Sequence, residues 1–260
     1  MLKKRLIPKL LLRFKGENKT PILVTSYKYL HHKTIGNPIS QAKIYEAQSA
    51  DELVMLNIDS LDLQHNTFVL DYLKKFSENI FMPLTFGGGV KSLNSFHLLL
   101  NSGADKISIN TNAILNPNLV TEAAKNFGSQ CVVISIDFKK VDKNYEVFKN
   151  KGKEKTGLKL IDWAKKVEDL GAGEIILTDV DCDGTGLGLN IEVAELISNS
   201  VKIPVIISGG CGLAKHFIDC FKKTKIEGVA AGNFFLNKDQ NIFQTRSQIL
   251  NNGILLRKVN

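Results

Sequence analysis

Eight short apolar runs recur along the chain: RLIPKLLL (5–12), ELVMLNI (52–58), PLTF (83–86), KISIN (106–110), CVVISID (131–137), EIILTD (174–179), PVIIS (204–208) and GVAAG (228–232). Each is continuous rather than alternating, as in strands buried on both faces. Between them lie stretches of helical period: ISQAKIYEAQS, TFVLDYLKKFS, LNSFHLLLNSG, NLVTEAAKNFG, LKLIDWAKKVEDLG, IEVAELISN, AKHFIDCFKK and FQTRSQILNNG. Gly103, Gly128 and Gly171 fall where helix C-caps belong. Eight strands alternating with eight helices predict an α/β fold, a single (β/α)8 TIM barrel over residues 1–260. A Rossmann sheet needs fewer repeats and a GxGxxG after its first strand, which this chain lacks. No linker marks a second domain.

The pattern also repeats on a longer scale. MPLTFGGGVKSLNSF (82–96) and IPVIISGGCGLAKHF (203–217) share a proline, an apolar strand, a glycine pair and a closing phenylalanine, 121 residues apart. At nearly the same offset KISINT (106–111) answers GVAAG (228–232), and DELVMLNID (51–59) answers GEIILTDVD (173–181), with Glu52 opposite Glu174. This period is too long for a solenoid. It predicts two fused half-barrels, about 1–126 and 127–260.

Composition narrows the picture further. With 260 residues, 43% of them apolar, the chain can bury one large core, and no apolar run reaches the 18 residues of a membrane span. The start, MLKKRLIPKLLLRFKG, has a basic, leucine-rich look, but Pro8, Lys9 and Arg13 interrupt it and a first strand is the better reading. Four cysteines (131, 182, 211, 220) show neither a disulfide nor a zinc spacing, so reduced thiols and a cytoplasmic location are expected, with no metal and no cofactor. The net charge of +8 comes from scattered lysines without a basic block, which argues against nucleic acid. Lysines at 139, 140, 143, 149, 151, 153 and 155 frame one loop or hairpin, a positive rim suited to an anionic substrate.

In a TIM barrel, chemistry sits at the C-terminal ends of the strands. Gly87–Gly89 follow the third strand, and Gly209, Gly210 and Gly212 the seventh. Asn110 and Thr111 end the fourth strand; Ala231 and Gly232 end the eighth. One glycine pair is an ordinary turn. Two such loops, related by the repeat, predict two phosphate grips facing each other across the mouth. The loop DVDCDGTGLGLN (179–190) nearly spells a calcium site, but its twelfth residue is Asn190 and it follows a strand, so Asp183–Gly184 beside the second grip is the stronger reading. Asp137 ends the fifth strand, where a shielded carboxylate can act as general acid or base. Its counterpart under the repeat is Leu11, which cannot transfer a proton.

These motifs resemble, over essentially the whole chain, the cyclase subunit of imidazole glycerol phosphate synthase, the HisF family. The resemblance rests on DELVMLN, LTFGGGV, GADKISINTNAILNPNLV, FGSQCVVISID, DWAKKVEDLGAGEIILT, DGTGLG and IPVIISGGCG. It implies a barrel that receives ammonia from a class I glutaminase docked at its N-terminal face. The ammonia is added to a bisphosphorylated ribulosyl intermediate, closing an imidazole and releasing an aminoimidazole ribotide. The family's phosphate contacts map to Gly89, Asn110, Thr111, Asp183, Gly184, Gly210, Ala231 and Gly232, and its strand-five catalytic aspartate to Asp137. Its charged ring at the barrel bottom, an ammonia gate, maps to Arg5, Glu52, Lys106 and Glu174; Asp105 and Gln130 match positions near the partner interface.

The departures cluster on strand one, on the loop after it and at the end of strand two. The family's IPCLDV reads IPKLLL here, so Lys9 and Leu11 replace the cysteine and the second catalytic aspartate. Its KG becomes Thr25–Ser26 within a lengthened loop, and the aspartate after strand two is Asn57. Lys9 and the 14–36 loop both stand as sources of a replacement for the lost aspartate. The expected function is a HisF-type synthase subunit. The alternatives are a paralogue delivering ammonia for amidino-group formation on a surface-polysaccharide or flagellar sugar, and a non-catalytic glutaminase activator and ammonia conduit. A related two-phosphate sugar isomerase barrel is disfavoured by the intact ring and by FGSQ.

Overall fold

The computed structural model describes residues 3–59, 63, 66–237 and 241–257. Eight parallel strands close into a barrel: β1 (Arg5–Lys15), β4 (Leu53–Asn57), β5 (Leu84–Gly87), β6 (Lys106–Ile109), β7 (Val132–Val141), β10 (Glu174–Asp179), β11 (Val205–Ser208) and β12 (Gly228–Ala231). The last of these pairs back onto β1, with Arg5 opposite Gly228, so no barrel edge is left open. The helices that pack around it are α1 (Pro38–Ala47), α2 (Thr67–Ser77), α3 (Leu93–Asn101), α5 (Asn118–Phe127), α6 (Leu160–Asp169), α7 (Ile191–Ser198), α8 (Ala214–Lys223) and α10 (Ile242–Asn251). Each sits on one of the helical runs read in the sequence, and Gly103, Gly128 and Gly171 hold positive φ at their ends.

Two kinds of element were not foreseen. Short helices α4 (Thr111–Leu115) and α9 (Asn233–Asn237) follow the fourth and eighth barrel strands. The 14–36 segment, expected as a loop, is instead a β-hairpin: β1 runs on to Lys15 and pairs with β2 (Thr20–Tyr27), which pairs with β3 (His31–Gly36). A matching excursion follows the fifth barrel strand, in the lysine-framed segment read as a loop or hairpin, where β7 continues into β8 (Asn144–Lys149) and β9 (Glu154–Lys159). These outer strands face little core; β3 is HHKTIG and nowhere buried. β2 is the exception: its Ile22–Val24 run is apolar, with Leu23 and Val24 buried, but at three residues it is shorter than the runs that mark the barrel strands.

Alternation along the strands divides the residues into two cores. Leu6, Leu10, Leu12, Ile134, Ile136, Ile175 and Leu177 face the helices. Ile7, Val54, Val133, Ile176, Ile206 and Ala230 form a separate, almost fully buried collar inside the barrel. The register also fixes the repeat in space. Lys9 lies opposite Val54, and Ser135 opposite Ile176. Matching Glu52 to Glu174 therefore makes Lys9 the equivalent of Ser135, and Leu11 the equivalent of Asp137. Even the hairpins conform: Leu11 pairs with Val24 on β2, and Asp137 with Phe148 on β8.

Candidate active site

At the bottom of the barrel interior, the four predicted gate residues form a closed ring of ion pairs. Arg5 donates from Nη1 to both oxygens of Glu52 (3.0 and 3.1 Å) and from Nη2 to Glu174 (2.6 Å). Lys106 Nζ bridges the same carboxylates at 3.1 and 2.9 Å. A Cβ on Gly228 would meet Ile7 Cδ1 at 3.0 Å and Ile206 Cγ1 at 3.1 Å, so glycine there leaves room for the apolar side chains packed above the ring. Burial alone pushes the Glu52 carboxyl up, but Arg5 and Lys106 together outweigh it and hold the group below its ordinary value. Asp105 and Gln130, just before β6 and β7, are exposed at this same N-terminal face. Asp105 accepts from the Leu84 amide (2.8 Å), fixing the entry of β5.

Above the ring stands the apolar collar. Above that, strand alternation puts Lys9 in one tier with Gly87, Ser135 and Ser208, three small residues that leave space for a long side chain. The next tier on the same strands contains Leu11, Gly89, Asp137 and Gly210. Asp137 is 4% exposed. Its Oδ2 accepts from Asn110 Nδ2 (2.9 Å) and its Oδ1 from the Tyr29 hydroxyl (3.0 Å). Burial pushes its carboxyl up to about 6; Asp183 adds to the rise, while the two hydrogen bonds and the charge of Lys9 oppose it. A carboxyl poised there exchanges protons near neutral pH, as an acid–base catalyst requires.

The second predicted grip is one cavity. Asp183, Gly184, Gly210, Ala231 and Gly232 line it together with Lys9, Leu11 and Ser208. Gly209 and Gly210 hold φ of +95° and +96°, and a Cβ on Gly210 would stand 2.0 Å from the Gly188 carbonyl oxygen. The loop before it is held by Asp179, whose oxygens accept from the Asp181 and Cys182 amides and from Asn190 Nδ2. Asp179 is thus a scaffold for the acidic loop.

Gly89, Asn110 and Thr111 lie apart from this cavity, on the opposite side of the mouth. There Gly88 approaches so closely that a Cβ would meet the Asn57 carbonyl oxygen at 2.1 Å. Asn57 Nδ2 and Asn110 Oδ1 are buried without a hydrogen-bond partner among the described residues. An orphaned buried donor costs about 1–3 kcal/mol, and a bound anion would satisfy the Asn57 amide. The short helices α4 and α9 follow the two grips in equivalent places.

Sequence reading missed the roof. The β2–β3 hairpin folds over the mouth and seats on the second grip: Ser26 Oγ donates to Asp183 Oδ2 (2.7 Å), the Lys28 amide to the Asp183 carbonyl (2.9 Å), and Asn233 Nδ2 to the Ser26 carbonyl (2.8 Å). Its turn places Lys28 and Tyr29 at φ of +50° and +59°, closed by a bond from the Leu30 amide to the Tyr27 carbonyl. Such a turn usually carries Asn and Gly, so nothing in the sequence announced it. Tyr29 thereby reaches Asp137, with its ring beside Gly152 of the opposite hairpin. The cavity beneath the hairpin has a volume of about 30 Å³, enough to admit water.

Comparison with known proteins fits this geometry. The sequence profile of the family described as histidine biosynthesis protein matches residues 18–241. The imidazole glycerol phosphate synthase subunit HisF of Hydrogenobaculum sp. is 42% identical over 258 residues, covering 99% of this chain and 100% of the relative. Subunits of the same name from Clostridium botulinum (44% identical, 90% of this chain and 93% of the relative) and Methanococcus vannielii (39%, 99% and 100%) are similar as well.

Proposed function

Because this chain belongs to the histidine biosynthesis protein family, beside its HisF relatives, we propose that it is the synthase subunit of an imidazole glycerol phosphate synthase. In this reading it takes ammonia from a glutaminase partner and adds it to a bisphosphorylated ribulosyl-aminoimidazole. The products are imidazole glycerol phosphate and aminoimidazole carboxamide ribotide.

The observation that carries the proposal is the column inside the barrel: a charged ring, a buried apolar collar, then Asp137 between two glycine loops. Ammonia generated below enters past Arg5, Glu52, Lys106 and Glu174. The collar favours neutral ammonia over ammonium, because stripping water from an ion costs far more than stripping it from a neutral amine. The two grips hold the substrate's phosphates through backbone amides and fix its reacting carbon over the column, so positioning supplies part of the rate. Asp137, ionised above pH about 6, takes a proton from the attacking nitrogen. The hairpin lifts to admit substrate and reseats on Asp183 to exclude water.

The partner docks on the N-terminal face, where Asp105 and Gln130 lie and where Phe81 and Leu255 are 82% and 74% exposed. The subunit works in the cytoplasm, with its thiols free. Among the described residues no helix is long and apolar enough to cross a membrane.

Turnover of the bisphosphate substrate with saturating ammonium salt, without partner, tests the proposal. Activity abolished by Asp137→Asn supports it. Absence of both turnover and substrate binding in the intact chain overturns it and leaves ammonia delivery to another acceptor. With the glutaminase added, Glu52→Gln or Lys106→Met should uncouple glutamine hydrolysis from synthesis, while Asp137→Asn leaves glutaminase stimulation intact.

A further inference from the structure

Twofold equivalence makes the acid–base apparatus lopsided: Asp137 on β7 faces Leu11 on β1. One inward position below Leu11 is Lys9, only 4% exposed and lining the cavity of the second grip. The other inward residues of its tier are the small Gly87, Ser135 and Ser208. Its Nζ makes no hydrogen bond among the described residues, and the charge it bears on is that of Asp137. The lysine chain is buried with its head in the cavity and no hydrogen-bonded counter-ion, at a place where the equivalent strand carries serine, and a fold that keeps a charge there has a use for it. Lys9 lines the same cavity as Leu11, which supplies only methyl groups there.

We propose that Lys9 is a catalytic residue, the strand-one proton donor and acceptor that works opposite Asp137 in place of the group missing at Leu11. This role rests on the synthase reading. Attack of ammonia on the substrate's ketone carbon forms one C–N bond and breaks the C=O π bond. The Lys9 ammonium gives a proton to the oxygen while the Asp137 carboxylate takes one from the new nitrogen, leaving a carbinolamine, a neutral amine and a carboxylic acid. The acid then protonates the hydroxyl, which departs as water with its bonding electrons, and the Lys9 amine removes a proton from the iminium. Both residues return to their starting state, and ketone plus ammonia has become imine plus water. The groups facing this pair are Tyr29 on the hairpin, Asn110 after β6 and Asp183 after β10.

The experiment compares the full chain with Lys9→Met, a neutral chain of similar length, and Lys9→Arg, which keeps the charge but does not release its proton. Turnover with ammonium salt is measured beside the pH titration of the Asp137 carboxyl by carbon-13 NMR. The proposal expects Lys9→Met and Lys9→Arg each to lose about 10²–10⁴-fold in kcat. Substrate KM should stay within about threefold, the Lys9→Met melting temperature should not fall, and Asp137 should titrate at higher pH in Lys9→Met. A merely structural lysine would lower the melting temperature and leave kcat near wild type. Turnover of Lys9→Met within about threefold of wild type overturns the proposal, as does an Asp137 titration that Lys9→Met leaves in place. Should the wild type turn nothing over, the synthase reading falls on its own; a shifted Asp137 in Lys9→Met then still supports the Lys9–Asp137 pair, and an unshifted one removes it.

Discussion

Asp137 sits where burial and hydrogen bonding oppose each other, and burial prevails. With the folded carboxyl at about 6 against an ordinary 3.8, the folded chain holds its proton more tightly than the unfolded one. The stability this contributes is complete below pH about 4 and is lost as pH rises through 6. At about 1.4 kcal/mol per pH unit, unfolding free energy should fall by about 2 kcal/mol from pH 4.5 to 7.5 on this account. Asp137→Asn should remove that share of the slope, which urea titrations at the two pH values measure. Tyr29→Phe acts the other way on the same group. It deletes a bond that favours the carboxylate, so the acidic limb of the kcat/KM profile should move to higher pH. Asp137 was legible in the sequence because it ends an apolar strand. Tyr29 was not, because no local pattern links positions 29 and 137.

Among the elements, the glycine loops and the hairpin show how backbone geometry builds the mouth. Gly186 and Gly210 both hold positive φ, but the space around them differs. A Cβ on Gly186 would find its nearest atom at 3.6 Å, whereas one on Gly210 would collide with the Gly188 carbonyl oxygen at 2.0 Å. Gly186→Ala should therefore cost only the left-handed strain, about 1–2 kcal/mol. Gly210→Ala should cost clearly more and weaken binding of phosphate at the second grip; urea melts and phosphate titration check both. The hairpin carries similar strain at Lys28 and Tyr29, offset by the bonds of Ser26, Lys28 and Asn233 around Asp183. The paired glycine loops after apolar strands were readable as loops of positive φ, since the repeat doubled the signal. The hairpin was harder to read, because its one apolar run, Ile22–Val24 on β2, is short and β3 has no buried residue.

The whole barrel is needed to assemble the ring at its floor, whose members come from strands far apart in the chain. Glu174 accepts from both Arg5 and Lys106, and its side chain is 6% exposed. Glu174→Gln leaves Arg5 and Lys106 sharing Glu52, which also pairs with the half-exposed Arg257, and should destabilise the fold by about 3–5 kcal/mol. Pairing it with Lys106→Met removes one cation from inside the ring, leaving Glu52 to Arg5 and the half-exposed Arg257, and should recover much of the loss. Thermal unfolding of the single and double variants tests this. An additive result would mean that the four charges do not act as a unit.

By itself the sequence determined the barrel, its twofold repeat, the residues of the ring and the strand-end candidates, because each is written in local periodicity or in a repeated motif. Only the tertiary structure decided which of them meet. Closure stacked ring, collar and Lys9 in one column, since inward positions from separate strands become neighbours only when β12 pairs with β1. It also laid an unannounced hairpin across the mouth, with Tyr29 on Asp137 and Ser26 on Asp183. Those contacts join residues more than a hundred positions apart, and long-range packing leaves no trace in a pattern read a few residues at a time.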